Sequence, residues 1–123
     1  MKKWIIILGL FIALVATGAI LLRDTISGVQ PFRLTISNCQ GTLDRPLTVK
    51  AGETVVIDTT SDQDGELHIH GFDIKRDLTK NQKQRLTFRA VEKGRYELEL
   101  ENQCHLGELV VASQDGTLPL VEQ

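Results

Sequence analysis

From Phe32 to Ala112 apolar and polar residues alternate with a period of two. Only an extended strand sends successive side chains to opposite faces, so this rhythm predicts strands and argues against helices. In FRLTIS (32–37) Phe32, Leu34 and Ile36 alternate with Arg33, Thr35 and Ser37. LTVK (47–50), TVVIDT (54–59), ELHIH (66–70), QRLTFRA (84–90), RYELELE (95–101) and GELVVA (107–112) complete a set of about seven short strands. Gly, Asp and Pro separate them, and AGE and EKG supply tight turns, with Gly52 suited to a positive φ. Strands with one apolar face cannot be stable alone. Stacking two sheets face to face buries those faces, and the spacing predicts an antiparallel β-sandwich with Greek-key connections. KRDLTKNQKQ (75–84) is too polar for a core strand and is expected to cross the surface, with room for one helical turn.

The first residues follow a different rule. After Lys2 and Lys3, residues 4–22 (WIIILGLFIALVATGAILL) run 19 positions without a charge. A helix of that length rises about 28 Å, close to the hydrocarbon core of a bilayer. The alternative is a cleaved secretory signal, for which Ala16-Thr17-Gly18 is a partial cleavage pattern. Ile20, Leu21 and Leu22 prolong the apolar run beyond it, which favours one uncleaved N-terminal transmembrane helix. The expected organisation is an anchor or signal-anchor over 1–23, a linker over 24–31, a β-domain over 32–112 and a C-terminal tail over 113–123. The two lysines precede the apolar run, so the positive-inside rule places the N-terminus in the cytoplasm. The domain would then lie outside it, periplasmic or at the cell surface, tethered to the lipid bilayer through residues 4–22.

Charge excludes one class of partner. Residues 24–123 carry 11 basic and 16 acidic side chains. A nucleic-acid-binding domain would need a basic stripe, so no nucleic acid is expected. There is no nucleophile elbow, no phosphate-cradling glycine loop and no carboxylate pair with an evident pocket. Neither an enzyme nor a small-molecule substrate is indicated. Glu97, Glu99 and Glu101 alternate with Tyr96, Leu98 and Leu100 and read as a solvated strand face.

The chemistry that remains lies in three histidines and two cysteines. In a strand, His68 and His70 share a face opposite Leu67 and Ile69. If the Leu–Ile face is the core, both histidines face water; if the strand end turns inward, they need partners. Cys104-His105 adds a thiol and a third imidazole, the donors preferred by copper and zinc. An exported domain with two cysteines is equally expected to join Cys39 to Cys104, a bridge closing a loop of 64 intervening residues. That bridge would consume the Cys104 thiolate.

VKAGETVVIDTTSDQDGELHIHGFDI, LTFRAVEKGRYELELE and HLGELVV together resemble the cupredoxin-like domains of bacterial exported proteins over about residues 32–112. The resemblance implies a cupredoxin-like Greek-key sandwich and a copper site. Related copper domains of oxidase subunit II carry an HGF-like motif whose histidine binds the metal, which makes His70 the candidate ligand and His68 its neighbour. The departures are specific. Aligning GRYELEL with the ligand-bearing strand puts Leu100 where a blue-copper cysteine would stand, and no methionine follows, Met1 being the chain's only one. His105 falls in the second-histidine region, with Cys104 as a displaced thiolate. The resemblance also places Cys39 at the end of the sandwich that carries the ligand loops, near His70 and Cys104. A disulfide, or a cluster of Cys39, Cys104, His70 and His105 suited to Cu(I) or zinc, would follow. Two functions are therefore expected. One is a membrane-anchored copper-holding, delivery or electron-relay domain with a modified, non-blue site. The other is a metal-free sandwich stapled by Cys39–Cys104 that contacts another membrane or envelope protein.

Overall fold

The computed structural model describes residues 28–101 and 104–121. The apolar run over 4–22, and with it the expected anchor over 1–23, lies outside the described residues. Nine strands follow in order: β1 (Phe32–Ser37), β2 (Gln40–Leu43), β3 (Thr48–Lys50), β4 (Thr54–Ser61), β5 (Gly65–Ile69), β6 (Ile74–Leu78), β7 (Lys83–Arg89), β8 (Gly94–Leu100) and β9 (Cys104–Ala112). They form a four-stranded sheet, β2-β1-β4-β7, and a five-stranded sheet, β3-β9-β8-β5-β6. Hairpins β1–β2, β5–β6 and β8–β9 stay within a sheet, and every other connection crosses to the opposite one.

The seven expected strands are all present, and two more join them. β2 follows a two-residue turn in which Asn38 and Cys39 both have positive φ, 51° and 63°. Such a turn matches the twist of its flanking strands, but its usual signal is a glycine at the second position, and here that place is held by cysteine. β6 occupies part of the segment expected to be a surface crossover. It is too polar for a core strand because it is an edge strand: only Ile74 and Leu78 face inward, while Lys75, Arg76 and Asp77 are exposed. Charges on a short edge discourage pairing with other chains.

The expectation of a wholly antiparallel sandwich also needs correction. β1 pairs with β4, and β3 with β9, in parallel. The AGE turn forms as expected, with Gly52 at φ 91° and the Glu53 amide donating to Lys50 O at 3.1 Å. It does not close a hairpin; it carries the chain from β3 in one sheet to β4 in the other. Strands reached through the opposite sheet can run parallel without a helix between them.

The apolar faces meet as the alternation requires. Leu34, Ile36, Val55, Ile57 and Leu86 of the four-stranded sheet pack with Leu67, Ile69, Leu98, Leu100, Leu109 and Val111 of the five-stranded one. All are buried. At one end Phe72 stacks on Tyr96 and Phe88, with centroids 4.3 and 5.4 Å away. Tyr96 Oη donates to Glu92 O at 2.9 Å, fastening the turn into β8.

Candidate functional site

The inward packing of Leu67 and Ile69 decides where the histidines go. Both are fully buried, so His68 leaves β5 on the outer face of the five-stranded sheet. The register then builds a row: His68 stands opposite Glu99 on β8, and Glu99 stands opposite His105 on β9. His70, just past β5, has its backbone amide bonded to Glu97 O at 3.0 Å. Its Nε2 reaches Glu99 Oε2 at 2.7 Å, which brings the third imidazole to the same face. His105 Nδ1 contacts Glu97 Oε1. All three histidines and two glutamates thus share one outer sheet face.

The glutamates were missed as site residues in the sequence, where they read as a solvated face. Their spacing showed only that Glu97 and Glu99 share one face of β8; that this strand lies between the ones bringing His70 and His105 is set by the sheet order. Their chemistry fixes the tautomers. An ionised carboxylate only accepts, so His70 carries its proton on Nε2 and His105 on Nδ1. In the neutral imidazole His70 Nδ1 and His105 Nε2 are then the nitrogens with a lone pair, the arrangement of metal-binding histidines oriented by a carboxylate.

His68 differs from its neighbours. Its side chain is 17% exposed, against 46% for His70 and 66% for His105. The His70 ring covers it at a centroid distance of 4.4 Å. Its Nε2 is buried without a hydrogen-bond partner, and Asp73 Oδ1, at 3.9 Å, is beyond hydrogen-bond reach. A buried, unsatisfied imidazole nitrogen costs free energy and is a donor atom in waiting. The broad cleft between β8, β9 and the C-terminal segment, lined by Arg95, Glu108 and Leu120, contains none of the three histidines.

Cys104 does not join them as a thiolate. It is bonded to Cys39, with Cα atoms 5.1 Å apart, and no cysteine of the chain is free. Of the two arrangements open in the sequence, the disulfide is the one formed. The Cys39–Cys104–His70–His105 cluster is also prevented by direction. Cys104 is buried inside the sandwich, whereas His105, the next residue, leaves on the outer face. His70 is distant along the strands too: Cys104 lies opposite Leu100, while His70 lies level with Glu97. Cys39 is therefore close to Cys104, as expected, but His70 sits elsewhere.

These residues do not fit a blue-copper centre, since Leu100 is buried in the core and offers no donor. They fit a nitrogen–oxygen metal chemically, with imidazoles and carboxylates on one face. Among the described residues, no three His, Cys, Asp or Glu side chains are arranged around one ion. Side-chain rotation would have to bring the histidines together.

The family model described as a cupredoxin-like domain matches residues 5–111. The chain belongs to the cupredoxin-like domain family. Among solved structures it is similar to a copper binding protein in the apo form, with TM-score 0.58 and 13% identity over 69% of this chain and 89% of that one. It is also similar to a chain of a heme-copper terminal oxidase dimer, with TM-score 0.52 and 19% identity over 85% and 95% of the two chains. A multi-copper oxidase from Pediococcus acidilactici gives TM-score 0.57 at 10% identity, covering 79% of this chain and 29% of that one. At such identities the likeness establishes the cupredoxin-like sandwich. None of the curated proteins matches the chain.

Proposed function

We propose that this cupredoxin-like domain holds or hands on copper at the outer face of its five-stranded sheet, and that it turns over no organic substrate. The observation that carries the reading is the convergence of all three histidines on that face, two of them oriented by glutamates. His70 Nδ1 and His105 Nε2 are the leading ligand atoms, and His68 Nε2 is the third. With Cys104 in a disulfide, the donors are imidazole and carboxylate, which suit Cu(II) better than Cu(I). Copper in the names of similar structures supports the choice of metal. The apolar run over 4–22 supports a membrane-tethered, extracytoplasmic setting, in which the disulfide can form.

Titrating the oxidised domain with Cu(II) while recording electron paramagnetic resonance tests the reading. The expected result is one copper per chain with nitrogen hyperfine coupling, lost when His70 and His105 are both changed to Ala. Absence of bound copper at micromolar protein would overturn it.

The disulfide itself favours a second reading, a metal-free sandwich stapled by Cys39–Cys104 that contacts a membrane or envelope protein. The same titration separates the two, since that module would bind no copper in any variant.

A further inference from the structure

We infer that the Cys39–Cys104 pair, once reduced, is a second copper site: a two-coordinate dithiolate for Cu(I), separate from the histidine face. The inference takes its metal from the copper reading above but uses none of the same ligands.

The two cysteines are held together by more than their covalent bond. Cys39 sits in the turn between β1 and β2, whose backbone is pinned by Asp62: the Asn38 amide donates to Asp62 Oδ2 at 2.9 Å and Ser37 Oγ does so at 3.4 Å. β2 then presses directly on β9. A Cβ placed on Gly41 would lie 2.8 Å from Leu106 Cα, so only glycine allows this approach. One residue further along β9, a Cβ on Gly107 would lie 3.4 Å from Leu43 Cδ1, the same contact seen from the other side. None of these contacts involves the sulfurs, and with the bridge formed the two Cα atoms are 5.1 Å apart.

Access and ligand number select the metal. Cys39 is exposed, so a reductant can attack the bridge there, while Cys104 is buried among apolar side chains. Zinc needs four ligands, and His105 leaves on the opposite face. No third His, Cys, Asp or Glu joins a metal-holding group among the described residues. A soft ion content with two thiolates, Cu(I), is the one that fits.

The chemistry balances. A dithiol reductant gives two electrons and two protons to the Cys39–Cys104 bond and closes its own disulfide. One Cu(I) then displaces both thiol protons to solvent and is held by two thiolates, without a change of copper oxidation state. The oxidised domain offers copper only nitrogen and oxygen donors, so the redox state of this pair would determine which oxidation state the domain carries.

The test compares oxidised and phosphine-reduced full-length protein without oxygen. Free thiols are counted, and Cu(I) is titrated against a chromogenic Cu(I) chelator. Reduced protein is expected to show two thiols and take up one Cu(I), with a sulfur-only shell in X-ray absorption; oxidised protein should show no such shell. The His68→Ala/His70→Ala/His105→Ala variant should keep the reduced protein's Cu(I) affinity within about threefold, because His105, though next to Cys104, leaves β9 on the opposite face. Cys39→Ser, or alkylation of reduced protein with iodoacetamide, should lower it at least about a hundredfold, more than loss of an orienting group costs. Retention of Cu(I) by Cys39→Ser and by alkylated protein would overturn the inference. So would loss of Cu(I) in the histidine variant, or loss of dispersed amide NMR signals on reduction, since the site must be preformed. Failure of Cu(II) binding by oxidised protein would instead overturn the histidine reading and leave the dithiolate site standing.

Discussion

His70 and Glu99 are joined across the β5–β8 pair by a 2.7 Å contact that leaves Nδ1 of the histidine free. Glu99 is only 19% exposed and lies opposite both His68 and His105, so it stands at the centre of the histidine row. Changing Glu99 to Gln keeps the size but removes the charge that fixes the His70 tautomer. Cu(II) affinity of the oxidised domain is expected to fall about 10- to 100-fold. Stability should move by no more than about 0.5 kcal/mol, because His70 is half exposed and such pairs contribute little. Isothermal titration with Cu(II) and a urea melt on the same variant check both halves. Unchanged affinity would remove Glu99 from the site.

Reduction should weaken the fold without dissolving it. The Cys39–Cys104 bridge spans a sequence separation of 65. In the chain-entropy picture a closed loop of that size stabilises the native state by about 4 kcal/mol. The urea midpoint should therefore fall sharply in the presence of a phosphine reductant, and Cys39→Ser/Cys104→Ser should match the reduced wild type. A midpoint indifferent to reductant would mean that the bridge constrains nothing.

How much of this was legible in the sequence depended on whether the signal was local. The period-two pattern put Leu67 and Ile69 on one face of the strand and His68 and His70 on the other, but left open which face was the core; the burial of Leu67 and Ile69 decides it. It did not show that Glu97 and Glu99 meet His70 and His105, because that depends on strand order β9-β8-β5, which local alternation does not encode. β6 was hidden for a related reason: Lys75, Arg76 and Asp77 look like a loop until the edge position that lets a strand be so polar is known. The disulfide was one of two arrangements compatible with the residues. What separated them was direction, since Cys104 and His105 are neighbours in sequence but leave β9 on opposite faces.

Gly41 is expected to be the least tolerant position on the edge of the four-stranded sheet. Gly41→Ala would drive a methyl group into the Leu106 backbone, which is part of a strand and cannot rotate away. Overpacking of this kind typically costs about 1–3 kcal/mol. A urea melt should show that loss under oxidising conditions, and the Cys39–Cys104 bridge should reduce faster as β2 is pushed from β9. Gly116→Ala is a control for the substitution: nothing lies within 4 Å of its Cβ, although its φ of 89° carries its own backbone strain. Its bridge should reduce at the wild-type rate.

The four-stranded sheet also carries an acid-sensitive element. Asp58 on β4 lies between Arg33 on β1 and Arg85 on β7 in register, and its side chain is 8% exposed. Arg85 donates to it twice, at 2.6 and 2.9 Å, and Lys83 Nζ stands 3.7 Å away. The Arg85 hydrogen bonds hold the Asp58 carboxyl below its ordinary value, outweighing burial, which pushes it up. A folded-state value below the unfolded one means stability that is present above the unfolded value, about 3.9, and lost as pH falls through the folded one. Asp58→Asn should cost about 1–2 kcal/mol at pH 7, toward the lower end because Arg85 is itself largely exposed. Urea midpoints measured from pH 7 down to about pH 2 should therefore converge for wild type and Asp58→Asn at the acid end, because a protonated carboxyl and a carboxamide are both neutral. Parallel curves over the whole range would show that the Asp58–Arg85 pair contributes no pH-dependent stability.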